Sequence, residues 1–138
     1  MSKPDRLYID EKDRDLYSKV EKEVFSNQLL NERKNQFLFA LSIGFRNEIR
    51  AQLETREGFF RSEYLLPKDV SLINAVAIYA TDSIEILSNI KEVYRIAEEY
   101  AHGGIRILHD EIATNQVGSY FKMFEKDIYE LKKSLNIG

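Results

Sequence analysis

Phe37, Ala40, Leu41, Gly44 and Phe45 stand at i, i+3, i+4, i+7 and i+8. That repeat becomes one continuous face only when the backbone is wound as an α-helix. The spacing predicts a helix from Asn31 to about Leu53 with this face turned to a core. Gly44 in the middle of the face costs about 1 kcal/mol relative to Ala in an exposed helix interior. Its presence predicts close approach of a second helix, with a local kink as the duller alternative.

The same period recurs along the chain. Leu16, Val20 and Val24 make a stripe for a first helix that starts near Asp10, a good N-cap residue. Residues 1–9 read as poorly ordered or as an extended lead-in, with Arg6 to Ile9 the extended part. Asp69 opens a third helix to about Thr81, apolar over much of its circumference through Leu72, Ile73, Val76, Ala77 and Ala80, as the buried centre of a bundle is. Asp82 with Glu85 resembles a capping box and starts a short turn through Ile84, Ile86 and Leu87. Ile90, Val93, Tyr94, Ala97 and Ala101 stripe a further helix from Asn89 to His102, and Gly103–Gly104 is expected to stop it. A short helix restarts over Ile105 to Ala113. In the last helix, Asn115 to Leu135, the residues Val117, Phe121, Phe124, Ile128, Leu131 and Leu135 alternate four and three apart. This seam packs into its own bundle by default, and pairing two copies in a homodimer is the sharper alternative.

These elements predict an all-α fold, a compact bundle of five to six helices in a single domain spanning residues 1–138. With only two prolines and six glycines in 138 residues, long helices are not interrupted. The hydrophobic fraction of 43% suffices for one core. Residues 54–68, with Gly58, the pair Phe59–Phe60 and Pro67, form the least regular stretch and read as a loop.

Several function classes are excluded or weakened. The absence of cysteine removes disulfides, thiol catalysis and cysteine metal sites together. No run of ~18 apolar residues spans a membrane, and Met1 to Asp15 has no apolar signal-peptide core. A cytoplasmic protein is the expectation. The net charge of −3 argues against a wholly basic nucleic-acid binder. It conceals an asymmetry: residues 31–68 hold seven basic and five acidic side chains, residues 69–138 seven basic and eleven acidic.

Catalytic and metal motifs are hard to find. Neither His102 nor His109 sits in a nucleophile motif such as G-x-S-x-G. Glu98 and His102, four apart on a helix, could share a metal, but a site needs three or four converging ligands, and a histidine near a helix C-terminus favours the dipole anyway. The neighbours Glu98–Glu99 and Asp110–Glu111 point about 100° apart on a helix and read as solvated surface. Gly103–Gly104 ahead of a helix lacks the rest of a phosphate-binding loop. No cofactor and no metal are expected.

The arginine-rich segment is the best functional candidate. Arg46 and Arg50, four apart, fall on one face of the second helix. Arg56 and Arg61 flank Phe59 and Phe60, and Arg33, Lys34 and Lys68 extend the set. Arginines interleaved with aromatics suit phosphate contact with base stacking, and equally the energetic centre of a protein interface. The plain alternative is that Glu48, Glu54, Glu57 and Glu63 neutralise the arginines while the phenylalanines are core.

Four stretches together carry a family resemblance: Phe37 to Asn47 (FLFALSIGFRN), Arg56 to Arg61 (REGFFR), Ile73 to Leu87 (INAVAIYATDSIEIL) and Glu98 to Leu108 (EEYAHGGIRIL). In this order they resemble the small dnd system-associated proteins encoded beside DNA phosphorothioation (Dnd-type) systems, over most of residues 6–112. His102 stands where the resemblance leads one to expect a small polar residue before Gly103–Gly104. The resemblance implies a prokaryotic defence-linked accessory and no established reaction, and it makes Gly44, Arg46 and Gly58–Phe60 the motif positions to watch. The combined expectation is a non-enzymatic protein that binds other proteins of a modification or restriction system, or DNA, through Arg46, Arg50, Arg56, Phe59, Phe60 and Arg61. A helical DNA-binding regulator is the first rival. The second is an enzyme with a site around Glu98, His102, His109 and Asp110.

Overall fold

The computed structural model of the chain describes residues 3–23, 32–113, 125–130 and 133. Four longer α-helices stand among them: α1 (Asp13–Glu23), α2 (Arg33–Arg46), α3 (Pro67–Thr81) and α4 (Ile90–Ala113). Strand β1 (Arg6–Ile9) precedes α1, and β2 (Glu57–Arg61) lies between α2 and α3. Short 3-10 turns occupy Ser62–Tyr64 and Ile84–Ser88, and residues 125–130 are helical. The chain is therefore mainly α, as the periodicity predicts, but with a strand pair that an all-α reading leaves out. No helix of the described residues is long and apolar enough to cross a membrane.

The centre is the crossing of α2 and α4. Gly44 and Gly104 meet there: a Cβ on Gly104 would lie 2.7 Å from the Gly44 nitrogen, and one on Gly44 would lie 3.1 Å from the Gly104 nitrogen. Two helix backbones in contact admit no side chain between them, which is the close approach that Gly44 predicts. α2 is buried along most of its length, with Gln36 through Leu41, Ile43 and Gly44 all inside. The expected central role of α3 is corrected: it turns one stripe inward, Asp69, Ile73, Val76 and Ala77, and leaves Tyr79 65% exposed.

Gly103–Gly104 does not stop a helix. α4 runs through both glycines for 24 residues, and among the described residues no glycine has positive φ. They are small because other backbones press on them: Gly104 meets Ala40 and Gly44 of α2, and a Cβ on Gly103 would lie 2.6 Å from the Ile49 carbonyl oxygen.

α2 ends earlier than expected, at Arg46 rather than Leu53. Glu48 takes a left-handed conformation, φ 55°. Its N–H donates to the Phe45 carbonyl at 3.1 Å, and the Ile49 N–H donates to the Gly44 carbonyl at 2.9 Å. These are the two reversed hydrogen bonds of a Schellman helix end, here built on glutamate rather than the usual glycine. The chain then crosses α4 as an irregular segment, with the Ala51 N–H donating to the Glu99 carbonyl.

The segment REGFFR is a strand, not a loop. β2 pairs antiparallel with β1, Arg6 opposite Arg61, Leu7 opposite Phe60, Tyr8 opposite Gly58 and Ile9 opposite Glu57. The register shifts between Leu7 and Tyr8, leaving Phe59 as the extra residue of a bulge. Phe59 packs on Tyr17 of α1 with ring centroids 4.6 Å apart, and Phe60 meets Phe37 of α2 edge-on at 5.3 Å. Arg14 and Arg33 donate to the Gly58 and Phe59 carbonyls of β2, so its outer edge is satisfied by side chains.

Helix starts also differ in detail. Asp10 stands ahead of α1 and its carboxylate accepts from the Lys12, Glu54 and Thr55 N–H groups, tying the α1 entry to the segment before β2. Burial alone would raise its pKa, but these backbone hydrogen bonds and the Thr55 hydroxyl outweigh that and hold it at about 2. Asp69 does not open α3 but sits in its first turn, accepting from the Leu66 N–H and from Lys34. The turn after α3 is capped by Ser83, not by Asp82, which is the left-handed residue closing α3. Of the expected C-terminal seam, Val117, Phe121, Phe124, Leu131 and Leu135 lie outside the described residues, and Ile128 is half-buried in the helical stretch 125–130.

Candidate functional site

α4 carries polar side chains at core positions. Glu98, Glu99 and His102 are all buried, alongside Ile96, Ala97 and Ala101. The reading of Glu98–Glu99 as solvated surface is thereby corrected: neighbouring elements cover α4 on both sides, so residues 100° apart are both enclosed. The two carboxylates are met by the segment that follows α2. Arg50 Nε lies 2.7 Å from Glu99 Oε1, and Arg56 Nη1 lies 3.1 Å from Glu98 Oε1. Glu98 Oε2 accepts the Tyr8 N–H at 2.9 Å, which satisfies the free edge of β1.

The electrostatics are unequal. Burial pushes the Glu98 carboxyl up to about 7, against the pull of the Tyr8 N–H and Arg56 and with the help of Glu99. The Arg56 guanidinium also stacks over the Tyr8 ring, 4.5 Å from its centroid, and Arg50 lies over Tyr100 at 5.9 Å. Both arginines thus have a buried carboxylate and an aromatic face fixing them, while 34% of the Arg50 side chain and 49% of the Arg56 side chain remain exposed. Beside Arg56 opens a pocket of about 190 Å³ lined by Gln52, Leu53, Arg56, Arg95 and Glu99.

The six residues singled out from the sequence separate into groups. Arg50 and Arg56 converge on adjacent carboxylates of α4. Arg46 is the last residue of α2, with Arg50 beyond the helix rather than one turn along it, and Arg46 Nη1 pairs with Asp127 at 2.6 Å. Arg61 pairs with Glu63 at the far end of β2, roughly 15 Å from Arg56 at ~3.3 Å per strand residue. Phe59 and Phe60 are 4% and 6% exposed and belong to the core.

His102, one turn along α4 from Glu98, meets a different partner. Its Nδ1 is hydrogen-bonded to Asp13 Oδ2, and Arg106 Nε lies 3.6 Å from Asp13 Oδ1. Tyr17 is buried beside them, and burial with the Asp13 charge holds its phenol well above the usual range. His109 lies 3.7 Å from Asp110. Among the described residues no three His, Asp or Glu side chains are placed to hold a metal ion.

Asp13 and Arg95 are parts of this region that the sequence did not single out, and Asp10 stood out there only as a helix cap. One signal was available for Arg95: with Glu98, Glu99 and His102 it stands at i, i+3, i+4 and i+7, a polar stripe along one face of α4.

The family described as DNA sulphur modification system-associated protein 4 matches the chain over residues 6–131. No curated protein matches it, and neither does any solved structure.

Proposed function

Since the chain belongs to the family of DNA sulphur modification system-associated protein 4, we propose that it serves such a system as a non-enzymatic accessory that binds a partner protein. The binding face is carried by Arg46 at the end of α2 and by Arg50 and Arg56 in the segment after it. The observation that carries this reading is the anchoring of Arg50 and Arg56: two half-exposed guanidinium groups, each held by a buried carboxylate and an aromatic ring. A guanidinium fixed before binding loses little entropy on contact, and fixed arginines are typical anchors of protein interfaces. Ile49, 44% exposed beside them, adds apolar area. Arg61 lies apart from this face, and Phe59 and Phe60 serve it by holding β2.

DNA is the second reading, and three observations weigh against it. Each of these arginines already faces a carboxylate. The Phe59 and Phe60 rings point into the core, where they cannot stack on bases. The chain carries a net charge of −3. An enzyme built on Glu98 and His102 would need them at a substrate, and their side chains are 1% and 4% exposed.

The test is a pair of titrations of the purified chain: against the other purified proteins of the sulphur-modification system, and against duplex DNA with and without phosphorothioate linkages at low and physiological salt. The proposal expects a protein partner and no salt-sensitive DNA affinity. Salt-sensitive DNA binding lost on substituting Arg46 and Arg50 would replace it with the nucleic-acid reading.

A further inference from the structure

We propose that the pocket lined by Gln52, Leu53, Arg56, Arg95 and Glu99 receives a single carboxylate side chain of the partner protein, gripped between Arg56 and Arg95. This rests on the reading of the segment after α2 as a protein-binding face, and names the chemistry that face takes.

Size comes first. About 190 Å³ is below the ~300–1,000 Å³ of pockets that hold cofactors or drug-sized ligands. The space fits one side chain, not a nucleotide.

The charge left open to the pocket is positive. Arg56 turns Nη1 toward Glu98 as an ion pair, and Arg95 commits Nη2 to Glu92 at 2.8 Å. A guanidinium has five N–H donors in a planar fork, so each retains donors on its half-exposed side. Glu99, the one carboxylate of the lining, is 9% exposed at its side chain and already engaged by Arg50. The charged donors of the walls are therefore matched by a planar anion with two acceptor oxygens, and the exposed Gln52 amide adds a neutral donor and acceptor. Leu53 supplies an apolar wall for the methylene stem that precedes such a group.

The surroundings separate a carboxylate from a nucleic-acid phosphate. Phosphates arrive as a chain of charges and need a basic track. Here the exposed Glu48 and Glu54, and the half-buried Glu92, lie on the same two elements as the pocket. They repel a polyanion while leaving room for one charge on an otherwise neutral segment.

The experiment has two arms. In the first, the Nε–Hε resonances of arginine are followed in the full chain as N-acetylglutamate amide or inorganic phosphate is added. Saturable shifts at Arg56 and Arg95 but not at Arg61, stronger for the carboxylate and lost at Arg56 in Arg95→Gln, support the assignment. No shift, equal shifts at Arg61, or a stronger response to phosphate overturns it. In the second arm, affinity for the identified partner protein is measured. Arg95→Gln, a change at a half-exposed side chain, is expected to weaken it about tenfold, the loss of one charged hydrogen-bond donor set. Unchanged affinity in Arg95→Gln together with weakened affinity in Arg50→Gln overturns the pocket and leaves the face standing. Unchanged affinity in both overturns the face itself, and the pocket with it.

Discussion

Arg56 Nη1 lies 3.1 Å from Glu98 Oε1, a half-exposed cation resting on a carboxylate whose side chain is 1% exposed. The contact joins surface to interior: Arg56 borders the pocket, and Glu98 ties β1 to α4 through the Tyr8 N–H. Glu98 Oε1 makes no well-formed hydrogen bond in return, so the pair leaves the buried charge incompletely compensated.

That imbalance sets a pH dependence. The Glu98 carboxyl is raised in the folded chain from 4.5 to about 7, so the folded state binds a proton that the unfolded state has released. The contribution to stability is whole below about pH 4.5 and is lost as pH rises through about 7, at most about 3 kcal/mol. Asp10 has the opposite sign. Its depressed pKa of about 2 stabilises above its ordinary value of 3.8 and is lost as pH falls toward 2. Urea unfolding should thus show greatest stability from these two groups near pH 4. Glu98→Gln should flatten the decline between about pH 4.5 and pH 7 while leaving the acid limb in place; an unchanged slope in that variant would mean Glu98 does not titrate there.

The α2–α4 crossing should be intolerant of a single methyl group. Gly44→Ala and Gly104→Ala each push a Cβ into the facing backbone, and overpacking of a rigid contact should cost about 3 kcal/mol or more. Gly58→Ala meets only the flexible end of the Arg6 side chain, at 2.9 Å, and should cost under about 1 kcal/mol. Thermal melts of the three variants would show two large losses and one small one.

Glu48 is held at φ 55° to close α2. Glu48→Gly should stabilise the chain by roughly 0.5–1 kcal/mol, the relief of left-handed strain less the added chain entropy of glycine. Glu48→Ala keeps the strain and should bring no gain. A loss in the glycine variant, measured by chemical denaturation, would contradict the assigned helix end.

The elements legible in the sequence are those whose signal is local. The stripe Phe37, Ala40, Leu41, Gly44 and Phe45 finds α2, and Val93, Tyr94, Ala97 and Ala101 find α4, because each repeat lies within its own helix. What was not legible depends on distant partners. Glu48 carries no glycine signal, so the helix end that the pattern predicts falls seven residues late. Gly103–Gly104 has the composition of a helix stop, yet serves Ile49, Ala40 and Gly44 across a packing contact. β2 is too short to show a period, and its partner β1 lies some fifty residues earlier.

At the site, residue type made Arg50 and Arg56 visible but not what they pair with. The sequence offered Glu48, Glu54, Glu57 and Glu63 as neutralising acids, and of the four arginines only Arg61 takes one of them, Glu63. Arg50 and Arg56 instead take Glu99 and Glu98, more than forty residues away. Spacing within one helix cannot show that both sides of α4 are covered.

The central claim is that the arginines after α2 bind a partner protein of the sulphur-modification system. Its most direct test is calorimetric titration of that partner with the parent chain and with a chain carrying Arg46→Glu and Arg50→Gln, each first checked for an unchanged fold. The account predicts at least a tenfold loss of affinity in the substituted chain, with a melting temperature within a few degrees of the parent. Equal affinity in the two chains would contradict it.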